Sequence, residues 1–407
     1  MYNLTDRNIV LGVTGSIAAY KAVDLASKLT QAGAHLNVIM TPEATKFVAP
    51  ITFQSVIGRR PYWDMWDANS GLAEAHVALA RQAELLVIAP ATATIIARLA
   101  LGLAEEMVSL TALATRAPVI VCPAMDSYMF EHPATQEHLA TLGSRGVEIV
   151  GPEEGRLASG QTGRGRLSEV ETIIGWIRHV LGKAGDLAGK KVVVTAGGTH
   201  EPIDPVRFVG NSSSGKMGFA LAEAARDRGA NVLLISGPGA LPDPVAVEMV
   251  RVRRAAEMRD AVIAGCADAT VLIMAAAVAD YQPAETVSEK IKRQQTNSLT
   301  IPLVSTPDIL AEVGFRPGLV KVGFAAESRE LLENARQKIE SKQLDLIVAN
   351  DITASDAGFA TDNNRVVILD PAGGQTELPL MPKYDVAWHI LDKVATLLAG
   401  RRSQPET

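Results

Sequence analysis

The chain has 407 residues, too many for one ordinary domain and enough for two of about 150–200 residues. Hydrophobic residues make up 47% of it and aromatics only 4%, a balance that suits buried parallel strands and Ala-rich helices and argues against an all-β sandwich. The formal net charge of -6 comes from interspersed acidic and basic residues without a basic stripe, so nucleic acid is not an expected partner.

Taken in order, Asn8–Val13 reads as a short strand, followed by Thr14-Gly15-Ser16 and a helix with Ala18, Ala22, Leu25 and Leu29 on one face. Gly33 ends the helix and His35–Met40 is the next strand, completing one βαβ unit. Leu85–Ala89 and Val119–Cys122 are further apolar strands. The longest apolar stretch, Leu85 to Ala104, is interrupted by Pro90 and Arg98, so no membrane span is expected. The opening MYNLTDRNIVLGV lacks a basic-then-apolar signal organisation, which predicts a cytoplasmic enzyme. Cys122 and Cys266 are the only cysteines, giving neither a zinc spacing nor a disulfide framework.

From residue 190 the pattern restarts. Lys191–Thr195 is a strand running into Ala196-Gly-Gly-Thr199; a helix over Lys216–Arg228 carries Met217, Ala220, Leu221 and Ala224 on one face; Asn231–Ile235 is a strand. Val271–Ala275, Leu319–Phe324 and Leu344–Ala349 follow as strands. The Gly-rich stretch between the halves sets domains at 1–182 and 190–407 with a linker at 183–189. Two doubly wound, Rossmann-like α/β domains are predicted, the first flavodoxin-like, with ligands at the carboxyl ends of the strands.

In the first half, Thr14-Gly15-Ser16 opens directly into a helix, where backbone amides and the Ser16 hydroxyl suit a phosphate. The spacing is not that of a dinucleotide fingerprint. Ala89-Pro-Ala-Thr-Ala93 and Cys122-Pro-Ala-Met-Asp126 each follow a strand, and Leu157–Arg166 reads as a long Gly/Arg loop of the kind that forms lids. His76 stands among apolar residues, as a surface or core residue or as a proton carrier. With GVTGSIAAYK, these segments resemble the flavin-dependent phosphopantothenoylcysteine decarboxylases over about residues 8–180. The resemblance implies FMN held by Gly15, Ser16, Thr41, Thr92 and Ser109, and His76 as base near the substrate thiol. It implies Met125 and Asp126 at the substrate carboxylate, and a site shared within a trimer. That family usually has Asn where this chain has Asp126, and a loop Cys where it has Ser159. A hydroxyl is a far weaker acid than a thiol, so Ser159 does not inherit the proton-donor role unaided. Either another acid serves, Asp126 or Cys122 being the candidates, or this half is impaired.

In the second half, Gly210-Asn-Ser-Ser-Ser-Gly-Lys-Met217 nearly fits a Walker A loop, but Met217 holds the Ser/Thr position and a thioether does not bind Mg²⁺ as a hydroxyl does. Ser212, Ser213, Ser214 and Lys216 at a helix start still suit a phosphate. Together with TAGGTHEPIDPVR, AAAVADY, EKIKR and ANDI, this loop resembles the phosphopantothenate–cysteine ligases over about residues 190–390. The resemblance implies 4′-phosphopantothenate, cysteine and CTP as substrates, with Mg²⁺ on the phosphates and metal ligands unassigned. It implies Lys290 at the triphosphate, Lys338 and Lys342 on the nucleotide, and Asn211 and Arg207 on the acyl intermediate and the phosphopantothenate end. Asp280 and the backbone of Met274, Ala275 and Ala276 read the base, with Pro307, Asp308, Ile309, Leu310 and Phe324 completing its pocket. A homo-oligomer with trimeric decarboxylase and dimeric ligase contacts is expected. Without the motif, Lys338 and Lys342 read equally as a solvated helix face. The alternative is a ligase alone, with the flavin half a scaffold or regulatory domain.

Overall fold

The computed structural model describes residues 4–66, 74–292, 299–327, 331–351 and 361–402. Two compact units meet in sequence between Leu181 and Gly182.

The first unit is built on a five-stranded parallel sheet, in the order His35–Met40, Asn8–Val13, Leu85–Ala91, Val119–Pro123, Glu148–Ile149. Alternation along the first strand divides two cores. Ile9, Leu11 and Val13 face the helices Ala19–Gln31 and Val170–Gly182 through Leu25, Leu29, Ile173 and Ile177. Val10 joins Leu86, Ile88, Ile96 and Val108 on the other side. Leu85–Ala91 is buried at every position, as expected of a central parallel strand covered on both faces. The apolar stretch beginning at Leu85 resolves into this strand and the helix Ala93–Leu101. Among the described residues no helix is long and apolar enough to cross a membrane.

One expectation fails here. The Gly/Arg segment is a hairpin, Glu153–Arg156 paired with Thr162–Arg166, and only its tip is a loop. Its strands lack apolar alternation because glycines are needed for close approach: a Cβ on Gly165 would lie 2.1 Å from the Met125 carbonyl oxygen.

The second unit carries an eight-stranded sheet in the order Glu248–Arg251, Asn231–Ser236, Lys191–Ala196, Val271–Met274, Val320–Glu327, Leu346–Asp351, Asn363–Leu369, Gln375–Pro382. The first six strands are parallel and the last two antiparallel. The order reverses between Lys191–Ala196 and Val271–Met274, so the switch point lies there. Helices Lys216–Arg226 and Lys383–Arg402 pack together on one face through Leu221, Ala224, Ile390 and Val394. Two short ribbons project beyond the strand ends: His200–Pro202 with Phe208–Gly210, and Tyr281–Pro283 with Leu303–Ser305. The His200 and Phe208 rings stack at 3.7 Å.

The stretch 183–189, expected as a linker from its glycines, packs into the second unit. Leu187 is fully buried in its core. The Arg228 guanidinium, itself buried, donates to Asp186 at 2.9 Å and to Asp392 of the last helix at 2.8 Å.

Gly218, in the first turn of Lys216–Arg226, lies against the strand Lys191–Ala196. A Cβ there would sit 2.5 Å from the Ala196 Cβ and 2.7 Å from the Thr195 carbonyl oxygen. Helix propensity favours Ala over Gly by about 0.8–1 kcal/mol, whereas overpacking against backbone costs about 1–3 kcal/mol. The clash is with main chain, so it outweighs propensity. Calorimetry of Gly218→Ala is therefore expected to show a lower unfolding temperature for the second unit, whereas an unchanged or raised one contradicts this packing.

Candidate active sites

In the first unit the residues of interest follow the carboxyl ends of the sheet. Thr14 links the two switch-point loops: its hydroxyl donates to the Pro90 carbonyl at 2.7 Å and accepts from the Thr92 amide at 3.1 Å. Thr92 caps the helix Ala93–Leu101 by accepting from Ile95 N. Thr41 is buried; its amide donates to the Val13 carbonyl at 3.0 Å and its hydroxyl accepts from Ala44 N. The Ser16 hydroxyl accepts from Ala18 N at 3.2 Å where Ala19–Gln31 begins. Gly15 lies against Glu43, whose Cβ would be 2.5 Å from any Cβ placed there.

Ser109 is in the first turn of Met107–Ala114, and Val108 of that turn packs on Gly12 at the end of the first strand. The buried Glu106 carboxylate accepts from Val108 N and Ser109 N, both at 2.8 Å, so its oxygens are engaged and turned to the helix. The donors left around the switch point are hydroxyls and backbone amides at a helix start, a set that fits a phosphate ester.

The hairpin joins the two positions where the sequence leaves the decarboxylase pattern. Asp126 caps Ser127–Glu131, with Oδ1 accepting from Tyr128 N at 3.1 Å. Its Oδ2 accepts from the Ser159 hydroxyl at 2.8 Å. Met125 N donates to the Gly165 carbonyl at 3.0 Å, which seats the hairpin on this segment. His76 is half-buried in Ala75–Gln82, a helix packed against Met107–Ala114. Cys122 is not available as a proton donor: it is fully buried in the core beneath the helices, and burial pushes its thiol far up.

The second unit holds a cavity of about 850 Å³ at the carboxyl edge of its sheet. Its floor is set by Thr195, whose buried hydroxyl accepts from Ala276 N at 3.1 Å. This fixes the backbone of Met274, Ala275 and Ala276 in the wall. Asn211 lines the cavity and its Nδ2 donates to the Val278 carbonyl at 3.1 Å. Asp280 is exposed at the mouth, and Thr306 donates to the Ala279 carbonyl at 2.6 Å. Pro307, Asp308, Ile309, Leu310 and Phe324 complete one side. Asp308 caps Ile309–Val313 and pairs with Lys342. Lys338 and Lys342 both line the cavity, so this turn of Leu331–Lys342 faces the site.

Arg207 and Lys290 are not among the residues lining it. Arg207 donates to the Ile291 carbonyl at 3.0 Å and lies 3.5 Å from Asp204, beside the exposed Lys290. Arg293 of EKIKR and Ile352 of ANDI lie outside the described residues.

The cavity also contains groups that sequence reasoning left out of the site. Asn350 is buried and its Oδ1 has no hydrogen-bond partner, as expected where a ligand supplies a donor. Lys383, only 5% exposed, begins the helix Lys383–Arg402 and donates to the Thr361 carbonyl. Burial first, and then the neighbouring Lys216 ammonium, push its pKa down to about 8. Lys216 pairs with Asp362 at 2.7 Å. The available signal was a lysine directly after Pro382 at a helix start, an end where the dipole favours acidic residues.

A flavodoxin-like unit with a phosphate-suited switch point, followed by a doubly wound unit with a lysine-rich cavity, defines a fused pair of nucleotide-handling α/β units. Residues 1–182 match the Flavoprotein family model, and residues 187–398 match the DNA/pantothenate metabolism flavoprotein C-terminal domain. The chain is 44% identical over 98% of its length to all of the Coenzyme A biosynthesis bifunctional protein CoaBC of Bacillus subtilis (strain 168). It is also 44% identical over 97% of its length to the protein of that name from Escherichia coli (strain K12), of which 98% is covered. A crystal structure of the C-terminal domain of CoaBC matches 53% of the chain and 99% of that domain at 40% identity and a TM-score of 0.46. The chain belongs to the family of bifunctional coenzyme A biosynthesis proteins.

Proposed function

We propose that this chain carries out two successive steps of coenzyme A synthesis in the cytoplasm. The second unit ligates cysteine to 4′-phosphopantothenate with CTP, and the first decarboxylates the resulting 4′-phospho-N-pantothenoylcysteine with FMN. The observation that carries this reading is the full-length 44% identity to a bifunctional coenzyme A biosynthesis protein, over both units.

In the ligase step the substrate carboxylate attacks the α-phosphorus of CTP and the bond to the β-phosphate breaks, expelling pyrophosphate. The cysteine amine then attacks the acyl carbon, expelling CMP and losing a proton. Asp280 and the backbone of Met274–Ala276 read the base, and 307–310 with Phe324 enclose it. Asn211 holds the acyl intermediate, while Lys338 and Lys342 meet the nucleotide. Mg²⁺ neutralises phosphate charge when bound. Asp280 and Asp308, the acidic residues among those lining the cavity, would hold it together with the phosphates.

We assign Arg207 and Lys290 to the cavity of a second copy. The support is their place outside their own cavity and the exposed apolar residues on the neighbouring ribbons, with Val206 62%, Tyr281 55% and Val304 46% exposed. A dimer through these ribbons, and a trimer through exposed Ile17, Tyr20 and Leu113 of the first unit, cover that surface.

In the decarboxylase step, Gly15, Ser16, Thr41, Thr92 and Ser109 hold the FMN. When bound, it takes two electrons from the substrate thiol and returns them after CO₂ has left. His76 takes the thiol proton. Met125 and Asp126 receive the substrate carboxylate, and the Asp126–Ser159 pair supplies the final proton, supported by the hairpin that seats Ser159 on Asp126.

Pyrophosphate release is expected to require CTP and phosphopantothenate but not cysteine; equal or faster turnover with ATP contradicts the base assignment. Lys290→Gln should slow release roughly a hundredfold, the loss of about 3 kcal/mol of transition-state stabilisation. Mixing it with inactive Asn211→Asp should restore ligation through hybrid sites, and no recovery in mixed dimers contradicts the shared cavity. For the first unit, Ser159→Ala should stop after CO₂ loss, leaving bleached flavin and a product two hydrogens lighter than 4′-phosphopantetheine. Wild-type reoxidation of flavin by this variant contradicts the role given to Ser159.

A further inference from the structure

Lys216 and Lys383 stand at the first residues of two neighbouring helices, Lys216–Arg226 and Lys383–Arg402, and both line the cavity. A helix N-terminus carries a partial positive charge that favours acidic side chains and disfavours lysine. Here two cations are placed where two such ends adjoin. The one carboxylate shown between them is Asp362, which pairs with Lys216, and its side chain is 88% exposed. An exposed pair of this kind contributes little to stability. Lys383 is almost wholly buried, and its ammonium is weakened by that burial and by Lys216. A purely structural role would be better served by an uncharged side chain, so the arrangement costs stability in the empty protein. Asn350, with its unpartnered and buried Oδ1, independently marks the same cavity as built for polar ligand atoms.

We propose that Lys216 and Lys383 form the berth of the β- and γ-phosphates, and hence of the pyrophosphate that leaves. The proposal rests on the ligase reading and assigns the leaving-group end of its site. Two adjoining helix ends with two ammonium groups match a ligand with charge on two linked phosphates better than a single phosphate. As the bond to the α-phosphorus breaks, negative charge grows on the departing oxygen, and these cations meet it. Asp362 then competes with the anion for Lys216, which keeps the product from being held too long.

The test is calorimetric titration of full-length wild type, Lys383→Gln and Lys383→Arg with inorganic pyrophosphate, orthophosphate, CTP and CMP. Melting temperatures are recorded first. Lys383→Gln should melt at or above the wild-type temperature, bind pyrophosphate and CTP at least tenfold more weakly, and bind CMP within threefold of wild type. Lys383→Arg should retain pyrophosphate binding, and orthophosphate should bind much more weakly than pyrophosphate throughout. Pyrophosphate affinity unchanged in Lys383→Gln, or CMP weakened as much as pyrophosphate, overturns the proposal. Should Lys383→Gln fail to fold, loss of pyrophosphate binding in Lys216→Gln, with CMP retained, decides in its place. Wild type that binds pyrophosphate but releases none from a nucleoside triphosphate contradicts the ligase reading instead.

Discussion

Backbone has to approach backbone at the switch point of the second unit, and the cavity depends on that approach. A Cβ on Gly198 would lie 2.6 Å from the Asn211 carbonyl oxygen, and one on Gly237 would lie 2.3 Å from the Gly198 carbonyl oxygen. With Gly218 against Thr195, these contacts leave no room for side chains between the strand, the 210–217 loop and the following turn. The loop is thereby fixed against the wall at 274–278, and Asn211 reaches the Val278 carbonyl. Thr195 supplies the other anchor, since a buried amide at Ala276 without its hydroxyl would cost about 1–3 kcal/mol. Polar atoms of the wall are thus held in place before any ligand arrives, the condition under which they stabilise developing charge most effectively.

The first unit solves a similar problem by similar means. Gly165 lets the hairpin lie on Met125, and the glycine at 15 lets the phosphate-suited turn lie on Glu43. Thr14 bridges the two loops of the switch point as Thr195 bridges strand and wall in the other unit. In both, threonines at strand ends satisfy loop amides that would otherwise be buried without partners. The chemistry differs because the residues beyond these anchors differ: hydroxyls and amides in one unit, lysines and two carboxylates in the other.

The doubly wound architecture was legible because its signals are local. Apolar runs such as Leu85–Ala91 and helical faces such as Ala22, Leu25 and Leu29 depend on burial alone. The phosphate-suited turns were legible for the same reason, since glycine and serine at a strand-to-helix junction have few other uses. The hairpin at 153–166 was not, because close approach replaced apolar alternation with glycine. Nor was Lys383, whose place in the cavity arises from an antiparallel return at the sheet edge that brings a distant helix start beside Lys216. The pairing of Ser159 with Asp126 joins two departures from the decarboxylase pattern that sequence could only note separately. Cys122 is correctly placed in sequence for the chemistry but sits on the core side of its strand, a distinction that one residue of strand register decides.

The central claim is that one chain makes an amide from cysteine and then removes that cysteine's carboxyl group. Cysteine labelled with ¹³C at its carboxyl carbon, supplied with 4′-phosphopantothenate, CTP and Mg²⁺ to the flavin-loaded protein, tests both halves in one vessel followed by mass spectrometry. The account predicts labelled 4′-phospho-N-pantothenoylcysteine as a transient, then ¹³CO₂ and unlabelled 4′-phosphopantetheine in equal amounts. Labelled amide that accumulates without ¹³CO₂, or no labelled amide at all, would contradict it.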